Sequence, residues 1–205
     1  MNQTVAQSRL NISENDLLED TRPNACRTFV VATSLQATGS VRMTTYPTRT
    51  SDPFHAKIWE AARATSAAPT IFAPITIDDI RYGDGGTGWN NPTKEAIAEV
   101  HNIWPARKVG CLISIGTGLE EPLQLNDDKP EKIPQMVSVI LQKTSSKLLH
   151  VAAVAEYCVR CLTSCELVHR EVAEHYERFT SEYFRLNVPS GVSKIGLDEW
   201  DNWEK

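Results

Sequence analysis

The sequence contains no apolar run of about 18 residues, so no segment of it reads as a transmembrane helix. It has no apolar stretch behind the polar opening Met1–Leu10, so no secretory signal is expected there. It has no surplus of positive charge. Lys and Arg total 21 against 26 Asp and Glu, a net charge of −5, and the cations are dispersed rather than gathered in a stripe. Nucleic acid is therefore not expected as a partner, because phosphate binding needs a concentrated cationic face. There is no even, regularly spaced set of cysteines either. Five at irregular spacing point to reduced thiols and a cytoplasmic setting rather than a disulfide framework. What remains, 41% apolar and 23% charged in 205 residues, is the composition of one globular domain.

Residues 1–25 are polar and read as a flexible leader. Cys26–Thr33 is a β-branched apolar run, the mark of a buried strand, and Val41–Thr48 gives a second. From Phe54 the period becomes helical, with Ile58, Ala61, Ala62 and Thr65 on one face and Pro69 as the stop. Ile71–Tyr82 is extended and broken at Pro74 and Asp78-Asp79, as in a short hairpin or two strand pieces. Asn91 suits a helix N-cap and Pro92 the first helical position. Val109–Ile115 is a further buried strand. Ile133–Tyr176 is helical, with Val151, Val154, Cys158, Cys161, Cys165, Val168 and Val172 as its core stripe. Tyr183–Val188 closes the strands, and 191–205 form a polar tail. Strands alternating with helices make the fold class α/β.

The chemically distinctive segment is Gly83-Asp84-Gly85-Gly86-Thr87-Gly88. Three readings compete for it. Asp84 can be a turn residue with glycines supplying positive φ. Gly83, Gly85 and Gly88 also match the spacing of a dinucleotide loop, but the helix is postponed to Asn91-Pro92 and Lys108 stands where an acid belongs. Or Asp84 is an acid/base carboxylate at a strand end, with small neighbours letting substrate approach.

At these residues the sequence resembles the patatin-like phospholipases. Asp84-Gly85-Gly86 is similar to that family's D-G-G/A motif, and Arg63–Pro69 followed by Phe72 to the segment before it. Asn90-Asn91-Pro92 resembles its helix start, and Ser114-Ile115-Gly116-Thr117-Gly118 its S-[IL]-G-T-G strand end. Tyr183–Val188 and Leu197-Asp198-Glu199-Trp200 resemble the closing part of fungal-type members, so the likeness runs over residues 26–200, with 26–190 as the domain. The resemblance implies a three-layer α/β/α sandwich and a Ser-Asp dyad that hydrolyses phospholipid or other glycerolipid esters, in the manner of a phospholipase A2 or lysophospholipase. It implies no cofactor and no metal. Asp84 would be the proton acceptor, with Gly85 and Gly86 as its motif neighbours. Contact with membranes would be peripheral.

The family's G-x-S-x-G nucleophile elbow and its glycine-rich oxyanion turn are missing from these 205 residues. The expectation is a C-terminal portion of such a domain, whether a truncated product, a partial gene model or a degenerate relative. Without a nucleophile the chain alone is expected to be inactive. The alternative is an interaction or regulatory module that kept the scaffold and lost the chemistry.

Other candidates read more simply. Cys158, Cys161, Cys165 and His169 lie on one helix, which cannot wrap four ligands around zinc. The five histidines, His55, His101, His150, His169 and His175, show no partner pattern. Ser66 sits at a helix end without an elbow. Arg63 is either a cation facing substrate or the partner of a nearby carboxylate. Gly116-Thr117-Gly118 either floors the active site or turns the chain.

Overall fold

The structure, a computed structural model, describes residues 13–69, 71–119, 154, 157–179 and 182–189, with only the backbone of 176–179. The expected helix start at 133, Val151 of its stripe, His150 and the tail 191–205 lie outside these residues.

Two hairpins build the main sheet. Strands β1 (Phe29–Ser34) and β2 (Gly39–Thr44) pair antiparallel from Phe29↔Thr44 to Ser34↔Gly39. Strands β3 (Ile75–Ile77) and β4 (Ile80–Asp84) form the second hairpin, turning at Asp78 and Asp79. Both turn residues have positive φ, 46° and 64°, the mirror-image turn whose twist suits a two-residue hairpin and which aspartate tolerates. β4 then pairs antiparallel with β1, Ala32 opposite Asp84, giving the order β2-β1-β4-β3. That long-range pairing places Asp84 at an inner position of the sheet.

Helix α1 (Ile58–Thr65) packs on this sheet. Glu60 reaches back to accept the Lys57 N–H at 2.8 Å, satisfying one donor at the helix start. The buried face is turned from the expected one: Ala61 and Ala64 are buried, while Ile58, Ala62 and Thr65 lie at its margins. Alanines let the helix sit close against Ala32, Met43 and Tyr82. Thr65 Oγ1 donates to Val31 O at 2.6 Å, tying the helix end to β1. Within the stretch expected to be a loose leader, Leu18 packs on this core, its N–H donates to Ala56 O at 2.8 Å, and the Asp20 N–H donates to Thr45 O at 2.8 Å. Leu18 and these backbone hydrogen bonds anchor it, while Leu17 stays exposed.

A short turn, α2 (Gly86–Trp89), precedes α3 (Thr93–Ile103). Helix α3 begins one residue later than expected, and Asn91 Oδ1 accepts the Thr93 N–H at 3.2 Å, the bond a capping side chain makes. Its Glu99 is buried and held by Arg42 Nε at 2.9 Å and the Tyr46 hydroxyl at 3.2 Å. Burial foremost, and then the Glu99 charge, push the Tyr46 phenol up, so it stays protonated and donates. Arg42 also meets Glu95 at 2.7 Å. Arg42→Ala is expected to cost about 3 kcal/mol, because it strands a buried carboxylate. Thermal unfolding should show this as a Tm lower by roughly 6–12 °C.

Strand β5 (Cys111–Ile115) pairs in parallel with β6 (Glu182–Leu186) as a separate two-stranded sheet. One face, with Ser114 and Tyr183, turns inward towards α3 and α4 (Cys165–Phe179). The other is exposed: Ile113 59% and Ile115 76%, directly beside Phe184 50% and Leu186 57%. The expectation of a buried β5 is corrected here, since an apolar pattern marks a face fit for burial without supplying the cover. The core stripe is corrected too. Residues 157–163 are helical, but the helix breaks at Ser164 before α4 begins. Cys158 and Cys161 are exposed, and among the described members of the stripe only Val172 is buried.

Candidate functional site

Asp84 is the last residue of β4, and its backbone is held on two sides. Its N–H donates to Ala67 O at 3.2 Å, just past α1, and its carbonyl accepts Thr33 Oγ1 at 2.8 Å. The side chain is half-buried. Asp84 Oδ1 accepts the Gly86 N–H at 2.7 Å, which fixes the carboxylate in the turn. Among the described residues Asp84 has no ion pair, and its Oδ2 has no hydrogen-bond donor. A carboxylate with one oxygen fixed and one open has the form a proton acceptor needs.

The flanking glycines have different reasons. A Cβ on Gly85 would lie 2.1 Å from Val31 O, so the chain passes β1 only because no side chain is there. A Cβ on Gly86 would come to 3.2 Å from Asp84 Oδ1, crowding the carboxylate side chain rather than a backbone atom. Gly88 needs its positive φ of 102° to turn the chain towards Asn91. The short α2 opens inside the glycines, where the sequence suggested no helix. Thr87 and Gly88 break it at once with non-helical angles, so it does not make the continuous helix a dinucleotide loop leads into.

Beside Asp84 lies a cleft of about 400 Å³ lined by Thr33, Leu35, Ala67, Pro69, Ile71, Phe72, Ala73, Pro74, Gly83, Asp84 and Thr87. Among the described residues, Asp84 brings the one ionisable side chain to an otherwise mostly apolar lining. The walls were missed in the sequence. Their only signal was apolar Ile71-Phe72 in a proline-bounded loop that has no reason of its own to be apolar.

Arg63 fits neither expectation. Its guanidinium lies over the Phe72 ring at 4.8 Å and donates to Ala73 O at 2.6 Å, so it braces the cleft wall. Ser66 Oγ donates to Ala62 O at 2.7 Å, a helix-end bond that engages its hydroxyl. Gly116 and Gly118 turn the chain: their N–H groups donate to Leu186 O and Asn187 Oδ1, each at 2.8 Å, and neither glycine lines the cleft. Ser114 is buried between Arg185 Nη1 at 2.7 Å and Thr93 Oγ1 at 3.0 Å, a structural position. Among the described histidines, His55 meets Asp78 at 3.3 Å, His101 the Ile97 carbonyl at 2.8 Å and His169 Tyr183 at 3.1 Å. No group of three or more potential ligands is placed to hold a metal among the described residues, and no described helix is long and apolar enough to cross a membrane.

Residues 1–97 match the model of the patatin-like phospholipases. Over 62 residues the chain is 45% identical to Phospholipase A I of Arabidopsis thaliana, which covers 30% of this chain and 5% of that protein. It is 35% identical over 96 residues to Calcium-independent phospholipase A2-gamma of Rattus norvegicus, 46% of this chain and 12% of that one. A longer match, 35% identical over 169 residues, joins it to the 85/88 kDa calcium-independent phospholipase A2 of the same organism, 75% of this chain and 19% of that one. The chain thus spans less than a fifth of the length of each of these relatives. The matched 97 residues contain the whole four-stranded sheet, α1 and the Asp84 turn.

Proposed function

With residues 1–97 matching the patatin-like phospholipases, we propose that this chain supplies the base half of a Ser-Asp lipid acyl hydrolase. Asp84 takes the proton from a serine hydroxyl as that oxygen attacks an acyl ester, and the serine comes from chain outside these 205 residues. The proposal rests most on one observation: a carboxylate fixed at Oδ1 by Gly86, open at Oδ2 and facing an apolar cleft. Gly85 allows the close passage over β1, and Gly86 keeps the approach to the carboxylate free.

A hydroxyl becomes an effective nucleophile only when a neighbour accepts its proton, and a half-buried carboxylate within hydrogen-bond reach can do that without a histidine relay. The cleft walls suit an acyl chain, so phospholipid or another glycerolipid is the substrate class, in the manner of a phospholipase A2 or lysophospholipase. No cofactor or metal enters the step. The complete domain would be the three-layer α/β/α sandwich, with the elbow part added to the sheets seen here. The free thiols of Cys26, Cys111, Cys158 and Cys161 suit the reducing cytoplasm, with peripheral access to lipid.

The 205-residue chain alone is expected to hydrolyse no ester and to take no label from a serine-directed fluorophosphonate. Labelling of this chain would show a reactive serine inside it and overturn the division of the dyad. A second reading, a catalytically silent interaction module, draws on the exposed apolar face of β5 and β6. The two separate on the protein made from the complete transcript, which labels in the first case and stays unlabelled in the second.

A further inference from the structure

The cleft beside Asp84 is open at its mouth, and the mouth is apolar. Leu35, Pro69, Ile71, Phe72, Ala73 and Pro74 all line it and are all exposed. The three large ones are exposed by 43%, 49% and 52% respectively for Leu35, Ile71 and Phe72. They come from two places in the chain, the β1–β2 turn and the α1–β3 connection, which meet because the Leu35 N–H is held by Arg81 O at 2.9 Å and Leu35 packs over Gly83. Single exposed apolar residues need no explanation, whereas a set that rings a cleft marks a docking face.

The charges nearby select the partner. Arg63 is turned onto Phe72 and Ala73, and the neighbouring hairpin carries Arg81 together with Asp78 and Asp79. No Lys, Arg or His is among the described residues that line the cleft, so its mouth offers no concentrated cationic patch to an anionic surface. A protein seated on this rim would stopper the cleft that leads to Asp84. A lipid surface would instead feed it, since the apolar rim runs without interruption into the apolar cleft.

We infer that Leu35, Ile71 and Phe72 form an interfacial docking face that seats the cleft mouth on a zwitterionic lipid surface. The inference rests on the acyl hydrolase reading for its choice of lipid. The three side chains enter the boundary between headgroups and acyl chains, as the apolar faces of interfacial segments do. Arg63 acts as a positioning residue that holds the Phe72 wall.

The test is partition of the 205-residue chain onto phosphatidylcholine vesicles, with and without added phosphatidylserine, at low and physiological salt. Binding to both vesicle types is expected, with little dependence on salt or on the anionic lipid. Ile71→Ser with Phe72→Ser should weaken it by about tenfold or more, and Leu35→Ser, on the other loop, should weaken it separately. Ile113→Ser with Ile115→Ser, on the exposed face of β5, should leave it unchanged. Absence of binding to phosphatidylcholine, binding that needs anionic lipid and fails in salt, or an equal loss from the β5 variant would each overturn the inference. So would a dimer in solution that the Ile71 and Phe72 variant dissolves, since the rim would then hold a second copy. Partition is read without hydrolysis. A chain that binds through the rim while Asp84→Asn leaves ester hydrolysis intact in the longer protein would therefore keep the docking face and lose the catalytic assignment.

Discussion

Asp84→Asn, introduced into the protein made from the complete transcript, should lower kcat for ester hydrolysis by about 10²–10⁴ with little change in KM. The amide is nearly the same shape as the carboxylate and can still accept the Gly86 N–H through its oxygen. The fold and the cleft should therefore persist, and only the ability to accept a proton is lost. Circular dichroism and thermal unfolding close to those of the parent protein would separate this outcome from misfolding. A variant retaining more than about a third of parental kcat, against the loss expected of a general base, would return Asp84 to the role of turn residue.

Gly85→Ala and Gly86→Ala should fail in opposite ways although they are adjacent. At Gly85 the added Cβ would fall 2.1 Å from a β1 backbone carbonyl, which cannot swing aside as a side chain can. Overpacking of this kind costs about 3 kcal/mol or more, so the Tm should fall by at least roughly 6–12 °C or the cooperative transition should vanish. At Gly86 the nearest atom is Asp84 Oδ1 at 3.2 Å, the end of a side chain, which can give by a few tenths of an ångström. That variant should unfold within about 1 kcal/mol of the parent, as tolerated substitutions do. It should still lose activity, because the carboxylate has been moved. Equal stability losses at the two positions would contradict the roles given to them.

The elements that sequence reveals best are those whose period is set locally. β1, α1, the β3–β4 hairpin at Asp78-Asp79 and the approximate start of α3 were all legible, and so was the isolation of Asp84 among glycines. The pairing of β4 with β1 was not legible, since it joins residues some fifty positions apart through backbone groups that every residue carries. Without that pairing nothing identifies Val31 O as the atom Gly85 must avoid, or Thr33 as the donor to Asp84 O. The rotation of α1 towards Ala64 came from close helix-to-sheet packing, which favours the smallest side chains and overrode a plausible reading centred on Ile58. The cysteine and valine stripe failed for another reason. Periodicity shows which residues share a face, but it cannot show the break at Ser164 or the missing cover over Cys158 and Cys161. Arg63 was read as a charge seeking a charge, yet its planar group found a ring and a carbonyl.

The central claim concerns one proton transfer, and the fluorophosphonate adduct of the longer protein tests it most directly. A crystal structure of that adduct should place the labelled serine's oxygen within hydrogen-bond reach of Asp84 Oδ2, about 2.6–3.2 Å or one water away, on the Asp84 side of the cleft. A labelled serine on the far side of the sheet, or an Asp84 carboxylate locked in an ion pair away from it, would contradict the account.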